Sequence, residues 1–204
     1  ALAALTGLVA GAVKLIKNVP LKPTTEGGGD PELVLKRFER EARATALLRS
    51  QHTVEIYDFG RTDAGEFFYV MELLDGSSLG QILRGRGPLP VESALPLLRQ
   101  TAEALDHVHR SGVVHGDLKP ANVLLDGSGN AYLSDFGIAA RLLDPAEIGV
   151  TPSSAPAYRA PEEMCAGPTA SGDQFALAVL AFETVTGRAP VPGRDRSRTR
   201  GPER

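Results

Sequence analysis

Four polar side chains in the middle of the chain have the types needed for phosphoryl transfer. Asp117, Lys119 and Asn122 lie within the stretch VVHGDLKPANVLL, and Asp135 follows in the sequence SDFG. A carboxylate can orient a hydroxyl group and accept its proton, and a lysine can neutralise charge on a transferred phosphoryl group. An amide oxygen beside a second carboxylate suits Mg²⁺, which binds nucleotide phosphates. The four side chains together predict a general base, a cation and a pair of metal ligands.

The chain must fold back on itself for these side chains to meet. The sequence ANVLLDGSGNAYLSDFG predicts a tight hairpin, with strands NVLL and AYLS around Asp126 and Gly127. Because the hairpin returns the chain, Asp135 is expected beside Asn122. His115, in the same stretch, is expected to be a hydrogen-bonded structural residue and not a catalyst.

The wider pattern predicts strands in the first third of the chain and helices in most of the rest. Three segments favour strands: 11–19, VEIYDFG and EFFYVMELL. Four segments favour helices: PELVLKRFEREARATALLRS, SSLGQILRGRG, VESALPLLRQTAEALDHVHRSG and DQFALAVLAFETVTG. We therefore expect an α+β fold of two lobes joined near residues 73–76, with a partial small lobe at 1–75, a partial larger lobe at 76–190 and a basic, disordered tail at 191–204.

Composition argues against several classes of protein. The 204 residues are 42% hydrophobic and carry a net charge of −3, so no basic field indicates a nucleic-acid partner. Single Cys165 cannot form a disulfide within the chain and fits a reducing compartment. The opening ALAALTGLVAGAV is too short to span a bilayer and favours strand over signal peptide. We therefore expect a cytoplasmic protein with no membrane segment in this chain.

Taken in order, these motifs resemble those of eukaryotic-type protein kinases. VHGDLKPANVLL resembles the catalytic loop, with HGD where HRD is usual; SDFG resembles the metal-binding motif and YRAPEE the end of the activation segment. The resemblance runs in register from about Lys14 to about Pro190, and the form DLKPxN is similar to the serine/threonine branch. It implies the bilobal kinase fold, use of ATP and Mg²⁺, and a protein substrate with Ser or Thr hydroxyls. The high content of Ala, Gly and Arg is similar to that of bacterial members of the family.

The resemblance also implies roles in the small lobe. Lys14 would contact the α- and β-phosphates of ATP, and Glu41 would pair with Lys14. Met71 would be the gatekeeper, and the backbone from Glu72 to Leu74 would contact adenine.

In the larger lobe, the resemblance implies that Asp117 is the catalytic base and that Lys119 contacts the γ-phosphate. Asn122 and Asp135 would hold Mg²⁺. Asp173, at the start of the helix DQFALAVLAFE, would brace the catalytic loop through its backbone amides.

The sequence departs from the family pattern in ways that bear on activity. No GxGxxG precedes Lys14, which leaves ATP phosphates less well covered. Gly116 replaces an arginine that pairs with an activation-segment phosphate, and Ala155 replaces a threonine that hydrogen-bonds the catalytic loop. After TGRAPVPG the helices that complete the larger lobe are missing, together with the arginine that Glu162 would meet. We therefore expect a kinase domain clipped at both ends and weakly active or inactive as given.

Two alternatives stay open. A pseudokinase-like module would bind nucleotide or partners without turnover, which the missing loop and Ala155 favour. A small-molecule phosphotransferase is the second, since HGD followed by Asn also occurs there. Those enzymes lack a long activation segment ending in APE, whereas residues 135–162 provide one, so the protein-kinase interpretation is preferred.

Overall fold

A sheet of three antiparallel strands forms the first lobe. The computed structural model describes residues 14–19, 31–62, 67–136, 156–163 and 167–190. Strands β1 (Lys14–Val19) and β2 (Ile56–Arg61) both pair with β3 (Phe67–Glu72), which therefore lies in the middle of the sheet. The register places Lys14 opposite Glu72, at the end of β3 where the chain leaves this lobe.

One helix completes the small lobe, and its apolar core continues into the second lobe. Helix α1 (Pro31–Ala46) packs beside β2 and buries Ala42. The same hydrophobic cluster contains Met71 from β3 and Phe136 from beyond the hairpin. Apolar burial is non-directional and scales with area, so this shared cluster fixes the two lobes against each other near the predicted site.

The second lobe begins directly after the short link at 73–75. Strand β4 (Gly76–Ser78) pairs with β5 (Val123–Asp126), which pairs with β6 (Ala131–Leu133). Helix α2 (Leu79–Arg86) follows β4 and begins with a capping box, in which the Ser78 and Gln81 side chains each bond the other residue's backbone N–H.

Two longer helices contribute to the second core. They are α3 (Val91–Arg110) and α4 (Ala170–Thr186), which pack together through Leu105 and Leu180 among other apolar residues. Helix α4 begins at an N-cap, where the Thr169 hydroxyl accepts from the backbone N–H of Gly172. The buried start of α4 lies against the loop that joins α3 to β5, because Asp173 in its first turn hydrogen-bonds the backbone of that loop.

The predicted α+β fold is confirmed, and the chain passes near 73–76 from β3 into β4, a short strand at Gly76–Ser78 where the sequence pattern predicted the start of a helix. The domain limits stay a prediction, and Cys165, Ala155, the opening segment and the tail at 191–204 lie outside the described residues. No helix within the described ranges is both long and apolar enough to cross a membrane.

Candidate active site

The loop between α3 and β5 holds three of the predicted side chains together. A 3₁₀ turn, Pro120–Asn122, brings Asn122 back over the loop. The Asn122 amide Nδ2 donates to the backbone carbonyl of Asp117 at 2.8 Å and to its carboxylate Oδ2 at 3.0 Å. The Lys119 Nζ donates to the same Oδ2 at 2.7 Å. Local chain geometry therefore orients the Asp117 carboxylate through one oxygen.

The other oxygen of Asp117 is left without a hydrogen bond. Oδ1 is buried and has no partner among the described residues. A buried carboxylate oxygen without a partner is costly, because desolvation is not offset by a hydrogen bond. Such an atom is suited to accept the proton of a hydroxyl group placed against it.

The hairpin brings Asp135 beside this loop. The backbone N–H of Ser134 donates to the carbonyl of Asn122 at 2.9 Å, so Asp135 is the next residue along from a direct contact. Asp135 has a left-handed backbone, with φ of 59°, which aspartate tolerates better than most residues. Its Oδ1 accepts from the Tyr69 hydroxyl at 2.7 Å. Asn122 and Asp135 are thus neighbours, as the hairpin predicts.

A buried carboxylate at the start of α4 anchors the backbone of the loop. Asp173 is 2% exposed and accepts from the backbone N–H groups of His115 and Gly116 at 2.7 and 2.8 Å. Its Oδ2 also lies 2.8 Å from Nε2 of His109. Gly116 has φ of 75°, a conformation that glycine adopts without strain. This is the bracing contact that the sequence analysis expected of Asp173.

His115 lies entirely in the interior. Its Nε2 donates to the carbonyl of Ser134 at 3.0 Å, and its Nδ1 accepts from the backbone N–H of Asp117 at 3.2 Å. Its ring packs 4.9 Å from that of Phe136. Because one ring nitrogen donates and the other accepts, this arrangement suits the neutral imidazole, as a structural role requires.

We expect His115 to make the folded chain less stable in mild acid. Burial lowers the pKa of His115 from 6.5, although the neighbouring carboxylates of Asp173, Asp117 and Asp135 oppose the shift. Below pH 6.5 the unfolded chain takes up a proton that the folded chain excludes. The free energy of unfolding therefore decreases as the pH is lowered below 6.5, and the contribution of the neutral imidazole is retained above this pH.

Urea denaturation at about pH 7.5 and about pH 5.5 tests this dependence. The variant His115→Gln should lose much of the pH dependence. The matched control His107→Gln, on helix α3 just before the loop, should keep it. Equal pH dependence in the unmodified chain and in His115→Gln would contradict the assignment.

The small-lobe residues are described less completely. Lys14 lies on β1 opposite Glu72 and Glu41 lies on α1, while the positions of both side chains are outside the described part. Met71 is buried, and Leu74 packs against the shared hydrophobic cluster. The backbone N–H of Glu72 donates to the carbonyl of Glu55 at 2.9 Å, so this group serves the lobe itself.

Three residues that hydrogen-bond the predicted site residues or the chain at the start of α4 were not identified from the sequence. Tyr69 lies two residues before Met71, and residues at this spacing share a strand face, which is the signal that could have found it. His109 lies in the last turn of α3 and had no distinguishing signal. Glu163 is buried and accepts from the backbone N–H of Thr169 at 2.7 Å, whereas the predicted Glu162 is exposed.

The donor chemistry of the loop and hairpin fits Mg²⁺. Because the Asn122 Nδ2 donates to Asp117, the side-chain carbonyl oxygen of Asn122 is the atom that can ligate a metal. Asp135 adds a carboxylate, and both oxygens are hard ligands of the kind that Mg²⁺ prefers. No cluster of three or more His, Cys, Asp or Glu residues suited to a metal lies in the described part of the chain.

Similarity to known proteins agrees with this geometry. Residues 9–202 match the protein kinase domain family. The serine/threonine-protein kinase PknL of Mycobacterium tuberculosis is 37% identical over 185 residues, which cover 89% of this chain and 46% of PknL. The serine/threonine-protein kinase PknD of the same species is 38% identical, covering 84% and 26% respectively. The crystal structure of Rad53 1–466 in complex with AMP-PNP matches with a TM-score of 0.66 at 25% identity, covering 79% of this chain and 41% of Rad53.

Proposed function

The chain belongs to the protein kinase family, and we propose that it transfers the γ-phosphate of ATP to serine or threonine hydroxyls of protein substrates. The chain spans about half the length of PknL, 46%, so the activity of the whole protein is part of this proposal. The observation that carries it is the Asp117 carboxylate, held through Oδ2 by Lys119 and Asn122 while Oδ1 lacks a partner among the described residues.

In this proposal Asp117 binds the substrate hydroxyl through Oδ1 and accepts its proton as the new O–P bond forms. The Lys119 ammonium group lies 2.7 Å from Oδ2 of Asp117. A phosphoryl group transferred to a hydroxyl at Asp117 would therefore be near this positive charge, which would stabilise it. Asp173 keeps the backbone of His115 and Gly116 fixed, so that the base is held in position and little reorganisation is needed.

Asn122 and Asp135 hold Mg²⁺ in this proposal, and the bound ion would neutralise charge on the ATP phosphates. Lys14 contacts the α- and β-phosphates and Glu41 pairs with it. Met71 closes the back of the adenine site, and the backbone from Glu72, at the end of β3, to Leu74 contacts adenine. The position of the link between β3 and β4, at the junction of the lobes, supports this assignment.

We also propose a cytoplasmic location and no nucleic-acid partner. ATP is available in that compartment, the single Cys165 suits reducing conditions, and the net charge of −3 provides no attraction for a polyanion.

Phosphate transfer from labelled ATP tests the proposal directly. The purified chain is incubated with Mg²⁺, labelled ATP and a Ser/Thr-rich acceptor protein, and acid hydrolysis then identifies the labelled amino acid. We expect weak, metal-dependent label on phosphoserine or phosphothreonine. Nucleotide binding without transfer would favour the pseudokinase-like module instead, and label on added aminoglycoside or choline but not on protein would favour a small-molecule phosphotransferase.

A further inference from the structure

Tyr69 connects the small lobe to the carboxylate that we assign to the metal. It lies on β3, the central strand of the small-lobe sheet, whereas Asp135 follows β6 in the larger lobe. The hydroxyl donates to Oδ1 of Asp135 at 2.7 Å, across 66 residues of sequence. We propose that Tyr69 is a positioning residue for Mg²⁺ binding, because its hydroxyl fixes the rotation of the Asp135 carboxylate and ties that rotation to the small lobe. This inference depends on the proposed function.

The surroundings of the bond make it strong. Tyr69 is 5% exposed, and the gap beside it and Asp135 measures about 10 Å³, room for at most about one water molecule. Because Tyr69 is buried and Asp135 is half-buried, water has limited access to the bond between them. Hydrogen bonds to charged groups are stronger than those between neutral groups, particularly in an interior of low polarity.

Both partners are held independently of the bond between them. Tyr69 is fixed by pairing of β3 with strands on both sides and by packing in the shared hydrophobic cluster. Asp135 is fixed at its backbone by the Ser134–Asn122 contact and by Phe136 packed against His115. The Tyr69 hydroxyl adds a direct constraint on the rotation of the Asp135 carboxylate, because it bonds one of the two carboxylate oxygens.

The variant Tyr69→Phe tests the proposal because it removes the hydroxyl and keeps the ring. Binding of a fluorescent ATP analogue to the 204-residue chain is measured against Mg²⁺ concentration and also without metal. We expect the Mg²⁺ concentration for half-maximal enhancement to rise about tenfold, with nucleotide affinity in the absence of metal nearly unchanged.

The chain provides a matched control in Tyr132→Phe. The Tyr132 hydroxyl also donates to an aspartate, Oδ2 of Asp126 at 3.2 Å, in the hairpin turn. Its removal should leave the Mg²⁺ dependence unchanged. In an Asp135→Asn background, Tyr69→Phe should have no further effect on the Mg²⁺ dependence, because the group through which it acts is altered.

Three results separate failure of this inference from failure of the proposed function. An unchanged Mg²⁺ midpoint in Tyr69→Phe overturns the positioning role. Equal weakening with and without metal also overturns it, since a purely structural defect would affect both. If the unmodified chain binds no nucleotide at any Mg²⁺ concentration, the proposed function is wrong, and that result does not involve Tyr69.

Discussion

Replacing Asp117 with asparagine is expected to slow phosphoryl transfer about a thousandfold while leaving nucleotide binding nearly unchanged. Asparagine has the same shape, so the contacts with Asn122 and the loop backbone are largely kept. The amide cannot accept a proton at Oδ1, however, and it removes the negative charge that faces Lys119. The loss should therefore appear in kcat and not in the affinity for ATP.

Single-turnover transfer of labelled phosphate, together with nucleotide binding by fluorescence, separates the two quantities. Asp106→Asn is the matched control, because Asp106 is exposed on α3, where its carboxylate pairs with Arg110 at 2.9 Å. The control should transfer phosphate at the unmodified rate. Full activity in Asp117→Asn would remove Asp117 as the base, and loss of nucleotide binding would show that it acts through structure.

Replacing Asp173 with alanine is expected to cost about 3–5 kcal/mol of the free energy of unfolding. The substitution leaves three buried or half-buried donors facing a cavity: the backbone N–H groups of His115 and Gly116, and Nε2 of His109. Water cannot readily replace the lost partner, because Asp173 is only 2% exposed. The catalytic loop should lose its fixed backbone, and phosphoryl transfer should be lost with it.

Asp126→Ala provides a control in which the hydrogen bonds are similar but the setting is exposed. Asp126 accepts from the backbone N–H groups of Ser128 and Asn130, from the Asn130 amide and from the Tyr132 hydroxyl. Because water reaches this turn, its loss should be much smaller. Urea denaturation of both variants measures the difference. Equal losses, or a loss below about 1 kcal/mol for Asp173→Ala, would show that burial is not what makes the Asp173 anchor important.

Local features of the sequence were enough to predict the elements around the site. Helix α3 follows from apolar spacing, and the β5–β6 hairpin follows from the turn residues between two short apolar runs. Both depend on interactions between residues close in the chain, which one sequence displays directly. The order of the motifs then indicated the family, and with it the roles of Asp117, Asn122 and Asp135.

Motif order could not reveal contacts that depend on how segments of the larger lobe pack against one another. Glu163, and not Glu162, is the buried carboxylate of YRAPEE, because the start of α4 offers its backbone N–H at that position. His109 likewise gained its role only when the end of α3 came to lie beside Asp173. The contact of His109 depends on how α3 and α4 pack together, which no spacing in either helix specifies.

The sequence alone predicted which residue types would carry the chemistry, and it indicated the strands and helices that present them and the family to which the chain belongs. The tertiary structure alone decided that Tyr69 meets Asp135 and that His109 meets Asp173, over separations of 66 and 64 residues. The physical reason is that periodicity and turn preference are set by near neighbours, whereas these hydrogen bonds form only after two hydrophobic cores have fixed distant segments within 3 Å of each other.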